Sequence, residues 1–391
     1  MSATLTERPT TPSAEAHPEN PLARLSPEQL QELGRELDAI HDEVYADLGE
    51  RDARYIRATI KLHRQLVLGS RVLLLGSRRR PLWLLGTAAL SLAKILENME
   101  IGHNVMHGQW DWMNDPDINS QNWDWDTASP ADAWRHSHNY EHHTFTNIRG
   151  KDRDLGYEIM RIDPQQRWHP VYLFQPLYNL ILMGFFEWGV AMHDLNFDAI
   201  RTGEKSKAQA LQELKAIGVK ARGQIVKDYL AFPALSGALA GRGRRRGAFK
   251  STLLANFTAN IVRNVWAHSI IFCGHFPDQT YTFAEHEVVD ETRGGWYVRQ
   301  LLGSANIDGS PAFHFLSGNL SFQVEHHLFP DMPSSRYAEI APRVREVCRR
   351  YGLPYNTGPL HKQLGTVHRT ILRLALPGGR ARPKPAPHGA A

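Results

Sequence analysis

The chain has 391 residues, 42% of them hydrophobic, and a formal net charge of +4, so it can bury a large core as one large domain or two smaller ones. Its Lys and Arg residues fall in short clusters rather than on one long basic face, which argues weakly for an anionic membrane surface or acidic ligand and against nucleic acid. Cys273 and Cys348 are the two cysteines, too few for a disulfide scaffold or a cysteine zinc site and compatible with a reducing cytoplasm.

Residues 1–25 are rich in Pro, Thr and Glu, lack a basic-then-apolar signal peptide and are expected to be disordered. Ser26, Pro27 and Gln29 then mark a helix start: a capping hydroxyl, a proline at the first helical position and a glutamine three residues after the cap. A charged, amphipathic segment is expected over 26–63, its apolar residues suited to a membrane surface or a domain core. Apolar stretches follow at 64–76 and 82–98, joined by the basic turn Ser77-Arg78-Arg79-Arg80-Pro81, and at 171–190, 226–240 and 250–273. None is a clean membrane span, which needs about 20 largely apolar residues, and a soluble helical bundle would read similarly.

Three histidine clusters organise this framework. GHNVMH supplies His103 and His107, WRHSHNYEHHTFTN supplies His136, His138, His142 and His143, and QVEHHLFP supplies Gln323, His326 and His327. On a helix, His103 and His107 share a face, as do His138 and His142, and such pairs can grip a metal from one rigid element. Asn104 stands where a zinc protease needs its glutamate, and Glu100/His103 is the one Glu-x-x-His where a carboxylate di-iron bundle needs two. Several imidazoles buried together lose solvation if neutral and repel if protonated; a divalent metal resolves both.

If the clusters share one site, an even number of membrane crossings separates them. Pro176, Asn179 and Glu187 place 171–190 at the interface, leaving two hairpins, 64–76 with 82–98 and 226–240 with 250–268. The arginine turn and Gly241–Gly247 would then lie on the non-cytoplasmic side, against the positive-inside tendency. The Gly241–Gly247 stretch lacks GxGxxG spacing and reads as a basic turn, and no GxSxG elbow occurs. Arg149, Lys151 and Arg153 can meet acyl-CoA phosphates or an acidic redox partner, or simply form a solvated charge run. Trp110, Trp112, Trp123 and Trp125 can line an acyl tunnel, sit at a membrane interface or pack a cap.

Taken together, ENMEIGHNVMHGQWDWMNDP, WRHSHNYEHHTFTNIRGKDRDLGY and GNLSFQVEHHLFPDMP resemble the three histidine boxes of the membrane-bound fatty acid desaturase superfamily over roughly 60–345, the actinobacterial acyl-CoA desaturases in particular. The resemblance implies a mainly α-helical fold, with integral membrane helical hairpins under a helical cytoplasmic cap that holds a His-rich di-iron site. The membrane desaturase domain is expected over 64–345, followed by a C-terminal extension, 346–391, with a basic Pro-rich tail.

Carried over by motif, the metal ligands are His103, His107, His138, His142, His143, His326 and His327. The superfamily's isolated histidine with an asparagine four residues earlier maps to His268 and Asn264, the latter holding a metal-bound water. Two features depart from the common pattern: Gln323 opens the third box where many members have histidine, as in front-end desaturases, and three residues rather than two separate His138 from its pair. Gln323 therefore binds iron directly or through a water, and His136, His275 and His314 are spare candidates.

The activity implied is O2-dependent insertion of a cis double bond into a long-chain acyl group carried by CoA or a lipid, with two iron ions, at the cytoplasmic face of the cytoplasmic membrane. No heme or iron–sulfur cysteine pattern occurs, so a separate ferredoxin, cytochrome or flavin reductase must donate electrons. The alternatives are an acyl or lipid hydroxylase of the same superfamily and a non-catalytic metal-binding membrane protein.

Overall fold

The computed structural model describes residues 20–380 and 384; the tail expected to be disordered falls outside these through residue 19, as does most of the basic Pro-rich end. Residues Pro21–Arg24 form a single helical turn capped by Asn20, which corrects the disorder expected up to residue 25. Helix α1, Pro27–Ala46, starts as its sequence dictates. Ser26 Oγ accepts from the Gln29 amide at 3.2 Å and Gln29 Oε1 accepts from the Ser26 amide at 2.9 Å, a reciprocal cap that satisfies two orphan donors.

The amphipathic segment expected over 26–63 is not one helix. The chain breaks at Gly49, whose amide donates to Asp52 at 3.1 Å, and α2, Glu50–Leu75, unites the charged segment with the first apolar stretch in 26 residues. The arginine turn reverses the chain into α3, Arg80–Leu96. Further on come α4, Gln175–Gly184, α5, Phe186–His193, and α6, Lys207–Ile225. A π-helical turn, Val226–Ala231, joins α6 to α7, Phe232–Leu239. The 31-residue α8 is Arg245–His275.

Helices α2 and α3 pack as one hairpin and α7 with α8 as another, and α8 crosses α3. Their two basic turns meet: a Cβ on Gly247 would lie 3.3 Å from the Arg78 guanidinium, and Ser251 Oγ donates to Ser77 O at 2.8 Å. The interior of this bundle is charged. Asp228, with no exposed side-chain surface, pairs with Arg71 at 2.7 Å and Lys94 at 2.8 Å; Arg263 pairs with Glu187. The outside carries Leu68, Val72, Leu84, Leu230, Leu254 and Phe257, all exposed. Among the described residues, no helix is long and apolar enough to cross a membrane. The inward charges are a physical reason for that, since they lower the mean hydropathy of helices whose outer faces are apolar.

A cap covers one end of the bundle. It is built from α1 with α9, Arg293–Gly303, α10, Gln323–Leu328, α11, Tyr337–Arg350, and α12, Leu360–Ala375. A short parallel pair, β1, Asn306–Asp308, and β2, Thr357–Pro359, ties α9 to α12. The cap core contains Leu33, Leu37, Tyr297, Leu301, Leu328 and Val344. Gly294 is required where α9 meets α1, because a Cβ there would lie 1.9 Å from Leu30 O.

Candidate metal centre

The first and second histidine boxes lie on π-helical turns, Glu97–His103 continuing α3 and Arg135–His142. Such turns are rare and recur at functional sites. The third box lies on α10, and the end of α8 supplies His275. Seven of the eight histidines carried over by motif converge with His275. The ligand-capable atoms of His103, His107, His138 and His326 lie within 4.8 Å of one another, as do those of His142, His275 and His327. His143 stands between the groups, its ring 4.4 Å from His327, 4.7 Å from His107 and 4.9 Å from His326, centre to centre.

Each group has close ring-nitrogen contacts. His103 Nε2 is 3.3 Å from His138 Nε2, and His275 Nε2 is 3.3 Å from His327 Nε2. Burial, with the neighbouring rings adding to it, holds His103, His107, His143, His326 and His327 well below the ordinary imidazole range, so they are neutral. Among the described residues, Nε2 of His107, His142, His143 and His326 is buried with no hydrogen-bond partner. Neutral rings with buried, unpartnered nitrogens facing one another are what a cation requires of its ligands, and the donor set fits two metal ions.

The outer nitrogens are held in the orientation that leaves Nε2 free. His142 Nδ1 lies 3.0 and 3.1 Å from the Asp152 carboxylate oxygens. His138 Nδ1 is 3.3 Å from Asp154, which also takes His193 Nε2 at 3.0 Å. His327 Nδ1 is 3.0 Å from Gln300 Oε1, and the Gln300 amide donates to His143 O at 3.1 Å. Tyr337 donates to Phe329 O at 3.1 Å, so its hydroxyl oxygen can accept from His326 Nδ1, 3.2 Å away. These contacts fix tautomer and ring angle and raise ligand basicity. Nearby Glu100 is buried, which pushes it up to about 7 despite hydrogen bonds from Ser334, Tyr55 and Asn319.

His268 and Asn264 are not brought to the cluster. His268 Nε2 lies 3.1 Å from Asn179 Oδ1 and its ring stacks on Phe272 at 3.7 Å. Asn264 bonds the backbone of Gly184 at 3.0 Å and Glu187 at 3.3 Å. The reason is helical rise: two turns separate His268 from His275 on one face of α8, and the cluster sits at the level of His275. Gln323 does reach it, Nε2 lying 3.0 Å from His275 Nε2, and a Cβ on Gly274 would lie 2.8 Å from the Gln323 side chain. His136 is exposed beside Glu141, and His314 bonds Ser321 at 2.7 Å.

Arg149 pairs with Asp163 at 2.8 Å, Lys151 with Glu285 at 2.9 Å, and Arg153 with Glu141 at 3.2 Å and Glu158 at 3.3 Å. They are ion-paired rather than a free cationic row. Sequence reasoning missed Asp152, Asp154, His193, Gln300 and Tyr337 as supports. The alternating acids of KDRD, directly after the second box, were the available signal.

A cavity meets the first group at His103 and His138. Met99, Trp125, Trp134, Phe186, Val190 and Ile271 give it an apolar lining, with Glu187 and Asp194 also in its wall. Trp110 is instead fully buried and stacks on Tyr55.

Residues 81–359 match the model of the family described as fatty acid desaturase. The chain belongs to the fatty acid desaturase family. It is 49% identical over 355 residues to a protein named NADPH-dependent stearoyl-CoA 9-desaturase of Mycobacterium tuberculosis, covering 91% of this chain and 82% of that protein. It is 25% identical over 295 residues to the sn-1 linoleoyl-lipid 6-desaturase of a Synechocystis strain (72% and 77%), and 27% over 248 residues to fatty acid desaturase 3 of Bos taurus (61% and 49%). For a fatty acid desaturase, the coincidence of all three boxes with one buried ring cluster gives the motifs their physical meaning.

Proposed function

We propose that this desaturase acts on a long-chain acyl-CoA, inserts a cis double bond, and works at a membrane with two histidine-bound iron ions and a separate electron donor. The observation that carries the reading is the convergence of His103, His107, His138, His142, His143, His275, His326 and His327 in one buried cluster. The mycobacterial relative's name, which specifies stearoyl-CoA, position 9 and NADPH, supports an acyl-CoA substrate and an NADPH-fed donor for this chain.

His103, His107, His138 and His326 would hold one iron ion and His142, His275 and His327 the other, with His143 between them and Gln323 beside the second. The irons would supply the oxidising power toward an unactivated methylene that no amino-acid side chain has. The protein's part is to hold neutral rings ready, to fix them through Asp152, Asp154, Gln300 and Tyr337, and to keep bulk water from the reacting carbons. The cavity at His103 and His138, about 60 Å3 with a mostly apolar surface, could take a short part of an alkyl chain beside the centre. In balance, the acyl group gives up two hydrogens, O2 is reduced to two waters, and two electrons and two protons come from outside. Both cysteines are buried, and a separate ferredoxin, cytochrome or flavin reductase would donate the electrons.

Membrane insertion is supported by the inverted bundle, charged inside and apolar outside. Intramembrane charges face the interior and pair with one another, as Arg71, Lys94 and Asp228 do. The proposed crossings are 64–76, 82–98, 226–240 and 250–268, with the cap in the cytoplasm.

Expression in a host that lacks the activity, followed by gas chromatography of its fatty acids, tests this reading. A new monounsaturated acid that disappears with His138→Ala is expected. A hydroxylated product, or an unchanged profile from protein known to be folded and reduced, would overturn it.

A further inference from the structure

A second cavity approaches the centre from another side. Its wall contains His275, Gln165, Thr280, Thr282 and Thr370, with Arg149 and Asp163 among its charged residues. The first cavity, which meets His103 and His138, has a mostly apolar surface; this one meets the other histidine group, and its hydroxyls, amides and charges share the wall about equally with apolar side chains such as Ile162 and Phe276. Its volume of about 340 Å3 far exceeds what one ordered water needs.

His275 differs from most of its neighbours in a way that matches this setting; His143 also has an unpartnered Nδ1 among the described residues but does not line this cavity. Its Nε2 lies 3.3 Å from His327 Nε2, on the cluster side. Nδ1 is therefore turned away from the cluster, since the two nitrogens lie on different sides of the ring. The outer nitrogens of His142, His327, His326 and His138 each have a protein partner. His275 Nδ1 is buried and has none among the described residues, although His275 is only 4% exposed. A buried imidazole nitrogen without a partner is costly, and a polar, roomy cavity is where water satisfies such a group.

We infer that this cavity is the aqueous port of the centre: water continuous with bulk solvent fills it and hydrogen-bonds His275 Nδ1, while the acyl chain occupies the cavity at His103 and His138. The inference rests on the reading of His275 as a metal-binding residue. The division has a chemical purpose, because water formed at the centre must leave by a path the alkyl chain does not fill.

The test places one thiol in the port of the full-length, iron-loaded protein. Thr370→Cys should react with a charged methanethiosulfonate as fast as Lys362→Cys, an exposed position on the same helix; Cys273 and Cys348 are 0% and 1% exposed and add little background. The label at Thr370→Cys should then slow extraction of iron by a water-soluble chelator about tenfold, equivalent to about 1.4 kcal/mol of added barrier. The same label at Lys362→Cys should leave extraction unchanged. A Thr370→Cys thiol inert to the charged reagent, or labelled without effect on extraction, would overturn the port. Protein that binds no iron would instead sink the metal reading, and the labelling rate would still decide whether the cavity is aqueous.

Discussion

Asp152 grips His142 with both carboxylate oxygens, at 3.0 and 3.1 Å from Nδ1, and the same carboxylate accepts the backbone amides of Asn147 at 2.6 Å and Asp154 at 2.9 Å. One buried acid thus fixes both a ring and the loop that follows it. Asp152→Ala should lower iron affinity by about 10–100-fold, the usual cost of removing such a support. Metal titration of the purified protein checks this, and an unchanged affinity would mean that the ring is held in some other way.

His275 and His268 make opposite predictions. His275→Ala should lose iron from the group shared with His142 and His327, while His268→Ala should keep its full iron content, because that ring is occupied by Asn179 and Phe272. Metal analysis of the two variants distinguishes them.

This pair also shows where the sequence stops being legible. The three boxes fixed seven cluster histidines, since adjacency and i, i+4 spacing survive whatever the surrounding helix does. The resemblance mapped a further ligand to His268 and left His275, two turns away on one face of α8, as a spare, because the choice depends on how far that helix projects into the cap. The Ser26 cap was readable from local chemistry alone. The break at Gly49 was masked by the unbroken charge pattern on either side of it, and the interior charge pairs are long-range contacts that periodicity does not report.

Acid should destabilise the metal-free protein. The rings of His143, His326 and His327 are held well below their ordinary value of 6.5 by burial first and by neighbouring rings second. Their contribution to stability is therefore present above pH 6.5 and is lost as pH falls below it, by at most about 1.4 kcal/mol per pH unit for each ring. His142 opposes the trend: burial pulls it down, but Asp152 and Asp154 outweigh that and raise it. Denaturation midpoints of metal-free protein across pH 5–7 should fall toward acid, and His143→Gln should flatten the slope.

The bundle interior depends on Asp228. Removing its carboxylate leaves Arg71 without that partner and Lys94 with only the more distant Asp126, at 3.4 Å. Asp228→Ala should cost about 3–5 kcal/mol, the penalty of breaking a buried pair from one side. Thermal unfolding in detergent measures it, and a shift within error would show that water or lipid headgroups reach these charges.

Mössbauer spectroscopy with metal analysis of protein purified from iron-57-fed cells decides whether these far-apart histidines hold two iron ions. Two irons per chain, magnetically coupled and rich in nitrogen ligands, are expected. One iron or none, in protein that still desaturates acyl chains, would contradict the two-iron centre.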